Sequence, residues 1–289
     1  MKKSVAVIIT TVLLISALTG CSLAGNNYNT NTAISVVSRE EGSGTRGAFI
    51  ELFGIEVRSD DGTRKDTTTK EAIIADKTDI VMTNIANDPF AIGYISLGSL
   101  NDTIKAIDID GVKATVENVK NKTYLAQRPF NIAVKGEAEG LAKDFIDFIL
   151  SKEGQDLVAA NNYIAINEEA ADYAGSNLSG KIVVAGSSSV TPIMEKLREA
   201  YLDINPGAVI EIQMNDSSAG IKAAQDGTCD IGMASRALRE SELAELTEIT
   251  IALDGIAVIV NKQNPLENLT GEQVRSIFTG EVERWNAVQ

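Results

Sequence analysis

Apolar and polar positions along this chain follow two rhythms that take turns. Short runs of apolar and β-branched residues predict strands over 33–37, 80–84, 91–96, 130–134, 181–185, 208–214, 229–234 and 249–260. Stretches with apolar residues three and four apart predict helices over 45–53, 68–75, 139–160, 191–203, 219–226, 239–246 and 270–279. Pro192 just inside one helix start and Gly280 just past one helix end punctuate the pattern in the expected sense. Strands alternating with helices give an α/β class with a mostly parallel sheet. There is no short internal repeat. The small, polar, glycine-flanked "AGSNLSG", residues 174–180, reads as the best interior linker.

The first residues break this pattern. Lys2 and Lys3 precede the apolar "SVAVIITTVLLISAL", which is too short to span a bilayer comfortably. It ends in Leu18-Thr19-Gly20-Cys21, similar to a bacterial lipoprotein box. Residues 1–20 therefore read as a signal peptide, with Cys21 the lipidated first residue of the mature chain. The polar, Asn-rich stretch through residue 32 makes 21–32 a tether to the lipid. Cys229 is then the one thiol left, which excludes an internal disulfide. Its setting, "GTCDIGMAS", suits a small buried hydrophobe, and the acidic Asp230 beside it argues against a reactive thiolate.

Composition narrows the chemistry. A net charge of −14 with no long basic tract argues against nucleic acid as a partner. Histidine is absent, which removes the commonest general base and transition-metal ligand. No set of acids has metal-ligand spacing, so neither a metal nor a cofactor is expected.

What remains is a recurrence. Three predicted helices begin with turns of small and hydroxyl residues: Gly42-Ser43-Gly44-Thr45, Gly186-Ser187-Ser188-Ser189 leading to Thr191-Pro192, and Ser217-Ser218-Ala219-Gly220. A helix N-terminus presents free N–H groups and partial positive charge. Small residues let an anion approach those amides, and Ser and Thr add hydroxyl donors, so no net positive protein is needed. Each turn taken singly is also an ordinary N-cap. Arg39 beside the first turn and Arg236 in "GMASRAL" tip the balance, since Arg grips oxyanions with paired bonds.

Residues 42–47 also spell G-x-G-x-x-G. A dinucleotide loop wants an acid about 20 residues on, at the end of the next strand. Asp60 and Asp61 have the distance but lie in the turn-like "VRSDDGTRKD". The phosphate loop of nucleotide hydrolases wants Lys-Ser/Thr after the last glycine, where Ala48-Phe49 stand. Phosphoester hydrolysis would need a base beside Ser43 or Ser188, and the sequence offers none.

With these turns in view, the chain resembles the substrate-binding lipoproteins of phosphate ABC transporters. The resemblance covers nearly all of the mature sequence. It rests on "VSREEGSGTRGAF", "PFAIGYISL", "RPFNIAV", "FIDFILSKEGQDLV", "GKIVVAGSSSVTPIMEKL", "DSSAGIKAAQDGTCDIGMASRAL" and the long stretch from "IALDGIAVIV" to "WNAV". The order departs from the family. Members place the part like 180–289 before the part like 33–175, so this chain reads as circularly permuted, joined at 174–180, or as one unit cut from a tandem array.

The resemblance implies a periplasmic-binding-protein-like α/β fold of two lobes around a ligand cleft. Residues 131–262 would form one lobe. Residues 33–130 with 263–289 would form the other. It implies phosphate held by Ser188, Ser189 and Ser218 from one lobe and by Arg39, Ser43, Gly44 and Thr45 from the other. Where some members carry an acid that accepts the proton of hydrogen phosphate, this chain has Arg236. Glu41, then Asp216, are the expected replacements. The implied function is capture of inorganic phosphate outside the cell and delivery to an ABC permease. The protein would be a monomer held at the membrane through lipidated Cys21, without enzymatic activity. Sulfate, arsenate or molybdate binding, or a surface adhesion or sensing role on the same fold, are the alternatives.

Overall fold

A computed structural model describes residues 28–59 and 64–288. The expected signal peptide, Cys21 and the tether as far as residue 27 lie outside the described residues, as do Asp60 and Asp61. Among the described residues no helix is long and apolar enough to cross a membrane.

The described residues build a nine-stranded sheet. Its main path runs Ala208–Asn215, Gly180–Ser187, Ile231–Ala234, Gln127–Lys135, Leu246–Val260, Ala91–Ser96, Ser35–Arg39 and Ile73–Ala75, with the short Lys105–Ala106 also pairing with Leu246–Val260. The outer groups are parallel among themselves. The two central strands run antiparallel to each other and to their neighbours. The sheet is thus mixed rather than mostly parallel.

Leu246–Val260 explains the architecture. Its first part pairs with Gln127–Lys135 and its last residues, Ile256–Val260, pair with Ala91–Ser96. Nearly every residue from Ile251 onward is buried, the continuous apolar pattern of a strand covered on both faces. One strand therefore serves two cores. The first cluster includes Val37, Phe49, Ile85, Tyr94, Val258 and Phe278. The second includes Phe130, Phe145, Val184, Leu197, Met233 and Ile251, with a smaller cluster around Ile221 and Cys229 on the other face. Ile256–Val260 pack in the first cluster, so the change of core falls within the strand and ahead of residue 262. Cys229 is buried, and burial with Asp230 beside it pushes its thiol up to about 11, far from a thiolate at neutral pH.

Three expected elements are corrected. Residues 80–84 belong to the helix Thr78–Asn87, in which Val81 and Ile85, one turn apart, are buried. A short apolar run cannot distinguish strand from helix by itself, and here the i, i+4 pair decides. Residues 68–75 form a turn and then the edge strand Ile73–Ala75, which adds in parallel to Ser35–Arg39. Sheet pairing takes Ile73–Ala75, and the local helix formers Lys70 and Glu71 sit in the turn ahead of it. The single helix expected over 139–160 is two, Gly140–Leu150 and Lys152–Ala160, broken at Ser151, whose hydroxyl caps the second.

The interior linker is anchored by one carboxylate. Asp144 Oδ2 accepts from Tyr173, Ser176 and Tyr201 hydroxyls at 2.6, 2.5 and 2.5 Å. Burial works to raise the Asp144 carboxyl, and these three donors, Ser176 first, outweigh it and hold it below the usual range. A depressed carboxyl adds stability that is present above the unfolded value, about 3.9, and is lost as pH falls through the folded value. Asp144→Asn is expected to melt earlier than the parent at neutral pH, with the two melting curves converging below about pH 4. Parallel melting curves across the whole pH range would contradict this role.

The segments near the two ends of the described chain meet. Ala33 bridges to Arg284, Ile34 N–H donates to the Glu283 carbonyl, and Asn286 N–H donates to the Thr30 carbonyl.

Candidate oxyanion-binding site

All three hydroxyl-rich turns sit at helix N-termini. Ser43 caps the helix Gly44–Leu52 and accepts from Arg46 N–H. Ser188 and Ser189 close the turn before the helix Thr191–Ile204, which carries proline in its first turn. Asp216 caps the helix Ser217–Asp226 and accepts from Ala219 N–H at 2.8 Å.

These turns, far apart in sequence, face one another. Arg39 Nη2 donates to Ser188 Oγ at 3.0 Å, and Thr45 Oγ1 lies 2.8 Å from Ser189 Oγ. Ser218 N–H and Oγ both donate to the Gly42 carbonyl at 3.2 Å. A Cβ on Gly44 would come within 2.6 Å of Ser217 Oγ and 2.8 Å of Ser235 Oγ. Arg39, Ser43, Thr45, Ser188, Ser189 and Ser217 are all nearly inaccessible to solvent. Donors carried by elements of the first cluster thus touch donors carried by elements of the second.

A fourth helix start joins them. Thr78, first residue of the helix Thr78–Asn87, places Oγ1 3.2 Å from Ser189 Oγ and 3.4 Å from Ser188 Oγ, and accepts from Arg39 Nη1 at 3.3 Å. Ser235 also enters, bonded to Ser187 at 3.0 Å and to Ser217 at 3.3 Å. Sequence reasoning missed both. The signal for Thr78 was available: Asp79 in a first turn, ahead of Val81 and Ile85 at helical spacing. Beside Thr78 and Ser188 opens a cleft of ≈ 420 Å³, walled by Thr191, Pro192, Ile212 and Met214.

The charges are arranged differently from the sequence expectation. Arg39, only 2% exposed, is held by Glu40, whose two carboxylate oxygens take Nε at 2.7 Å and Nη2 at 2.6 Å. Glu41, the first candidate proton acceptor, is exposed, and the acid on Arg39 is its neighbour. Asp216, the second candidate, packs its carboxylate against Gly42, where a Cβ would stand 2.3 Å from Oδ1. Arg236 reaches Ser218 Oγ at 3.4 Å, while its fork is occupied by Glu242 at 2.8 and 2.9 Å. Burial tends to raise the Glu242 carboxyl, and the Arg236 contact and the Arg239 amide bring it below its ordinary value. Arg236 therefore brings its own counter-charge.

Buried hydroxyls gathered at helix starts and one neutralised guanidinium form a cage of hydrogen-bond donors. Such a cage suits a small oxyanion, because Ser and Thr can donate to it without adding charge. Among the described residues there is no group of three or more His, Cys, Asp and Glu side chains able to hold a metal.

The sequence matches the PBP superfamily domain over residues 23–153 and 171–289. The chain belongs to the PBP superfamily. Within that superfamily it is 50% identical over 274 residues to the phosphate-binding protein PstS 2 of Streptococcus agalactiae, covering 94% of this chain and 93% of the relative. It is 44% identical over 270 residues to PstS 2 of Streptococcus pneumoniae, covering 93% and 92%. The phosphate-binding protein PstS of Bacillus subtilis aligns over 139 residues at 34% identity, 47% of this chain. The crystal structure of a phosphate-binding protein of a phosphate ABC transporter from Streptococcus pneumoniae superposes with a TM-score of 0.71 at 45% identity. That superposition covers 89% of this PBP-superfamily chain and 100% of the other.

Proposed function

We propose that this protein is an extracytoplasmic phosphate receptor. Two lobes close on inorganic phosphate, and the loaded protein delivers it to an ABC permease. One observation carries the reading: Arg39 and Thr45 meet Ser188 and Ser189 in a buried cage, although 144 or more residues separate each contacting pair. The relatives named for phosphate binding support the choice of anion. Capture needs no covalent chemistry, and the protein is read as a receptor rather than an enzyme. Lipidated Cys21 would hold it at the membrane as a monomer.

Arg39, Ser43, Gly44, Thr45, Thr78, Ser188, Ser189 and Ser218 are the proposed ligand-facing set, with Arg236 second to it because Glu242 balances its charge. The lobes are the chain around the first cluster and the chain around the second. The exchanged order of the halves is read as a circular permutation, and the pairing of Ala33 with Arg284 supports it by bringing the two end segments together.

A ligand that binds only the folded state stabilises it by about 2.7 kcal/mol at a hundred times its Kd. Titration with inorganic phosphate is expected to raise the melting temperature in a saturable manner, and sulfate at the same concentrations to raise it less. No shift with phosphate, or an equal shift with sulfate, would overturn the phosphate reading.

A further inference from the structure

The sheet order holds a feature that the anion cage does not use. Between the strand ending at Arg39 and the strand Ile231–Ala234, which Ser235 follows, stand three strands: Ala91–Ser96, Leu246–Val260 and Gln127–Lys135. Asp254 and Arg128 lie opposite each other on the latter two. Arg128 donates from Nε and Nη2 to Asp254 Oδ2 at 3.2 and 3.1 Å, with side chains 1% and 0% exposed. Ser96, last residue of its strand, donates to Asp254 Oδ1 at 2.8 Å. The Arg128 guanidinium lies 5.3 Å over the Phe130 ring, a second-cluster side chain. On the far side, Ile164 exchanges two backbone hydrogen bonds with Leu253, both 2.9 Å. Tyr163 beside it covers Gly98, where a Cβ would stand 2.2 Å from the ring.

One ion pair is thus fastened to both cores at the point where the shared strand passes between them. It is not a cheap arrangement. Burial works against both charges, raising the Asp254 carboxyl and lowering Arg128; their mutual contact opposes it first, with the Ser96 hydroxyl adding a hydrogen bond to Asp254. Among the described residues Arg128 Nη1 is buried with no hydrogen-bond partner. A well-packed apolar pair could fill the same space with similar stability. The ion pair differs from an apolar pair in being directional: it ties the two paired strands at one point with fixed geometry.

We propose that Arg128 and Asp254 are positioning residues that set how the two lobes meet, and so set anion affinity without touching the anion. The proposal rests on the closing-receptor reading above. Loosening the pair widens the range of lobe orientations, and Arg39 then reaches Ser188 less often.

The test replaces the pair with the apolar double variant Arg128→Met/Asp254→Leu and compares calorimetry with inorganic phosphate against melting temperature. The expected result is melting within about 4 °C of the parent and a loss of phosphate affinity of at least about tenfold. Parent-like affinity in a folded double variant overturns the proposal. The milder Ser96→Ala keeps the ion pair and removes one tether, and is expected to weaken affinity about threefold. Unchanged affinity in Ser96→Ala also counts against it. A readout without phosphate separates this idea from the ligand assignment. Spin labels at Asp79→Cys and Glu195→Cys, exposed on opposite walls of the cleft, in a Cys21→Ser background, report the distance between lobes. The double variant is expected to broaden that distance distribution, and an unchanged distribution overturns the pivot whether or not phosphate binds.

Discussion

Gly44→Ala is expected to reduce phosphate affinity by about 100-fold while the protein melts no earlier than the parent. The two effects have separate causes. Gly44 is the first residue of the helix Gly44–Leu52 and has no positive φ, so its backbone accepts alanine, a better helix former by about 1 kcal/mol. The added methyl, however, meets Ser217 Oγ at 2.6 Å, Ser235 Oγ at 2.8 Å and Arg236 Cγ at 3.1 Å. Those atoms belong to the opposite half of the cage. Overpacking of this kind costs about 1–3 kcal/mol, and each 1.4 kcal/mol is tenfold in affinity. The cost falls on closure alone, because the halves can part to relieve it. Gly47→Ala, three residues on in the same helix and with nothing within 4 Å of its new methyl, is the control. It should bind as the parent does and melt slightly later. Equal affinity for the parent and Gly44→Ala would show that the phosphate-bound state does not bring residues 44 and 217 together.

Arg39→Ala is expected to weaken phosphate binding at least tenfold and up to several hundred-fold, with stability also reduced. A hydrogen bond to a charged group contributes about 1.5–3 kcal/mol. The guanidinium also joins Ser188 and Thr78 and holds Glu40, so its removal strands a largely buried carboxylate beside an anion site. Arg39→Lys keeps the charge but has no planar fork to hold Glu40 at two points and still reach Ser188. Calorimetry should therefore rank the parent above Arg39→Lys, and Arg39→Lys above Arg39→Ala. If Arg39→Lys matched the parent, charge alone would explain the residue, and the Glu40 contact would be incidental.

Much of the candidate cage is legible in the sequence. Helix starts rich in small and hydroxyl residues have a local chemical signature, and Ser43, Ser188 and Ser218 carried it. What escaped depends on partners distant in the chain. Glu40 and Glu41 are equivalent as sequence, and only the course of the chain after the strand Ser35–Arg39 gives Glu40 to the guanidinium. Arg236 read as added positive charge because Glu242, six residues on, folds back to it from a helix of four residues. Thr78 was hidden by a short apolar run whose period is ambiguous over five residues. The edge strand Ile73–Ala75 was hidden by local propensity that pairing with Ser35–Arg39 overrules. The length of 249–260 was visible. That one strand should belong to two cores follows from the packing of Ile256–Val260, which hydrophobicity alone does not reveal.

The division of the chain between the cores bears on biogenesis. The second core draws on one stretch, from Phe130 to Ala252. The first needs Val36 to Ala126 together with Ile256 to Trp285, and takes Ile164 from within the other stretch. On the ribosome the earlier stretch emerges without its partner strand and must stay incomplete while more than a hundred residues are added. The later stretch can consolidate before synthesis finishes. The N-terminal portion of the nascent chain is therefore the part exposed longest to chaperones and proteases during synthesis.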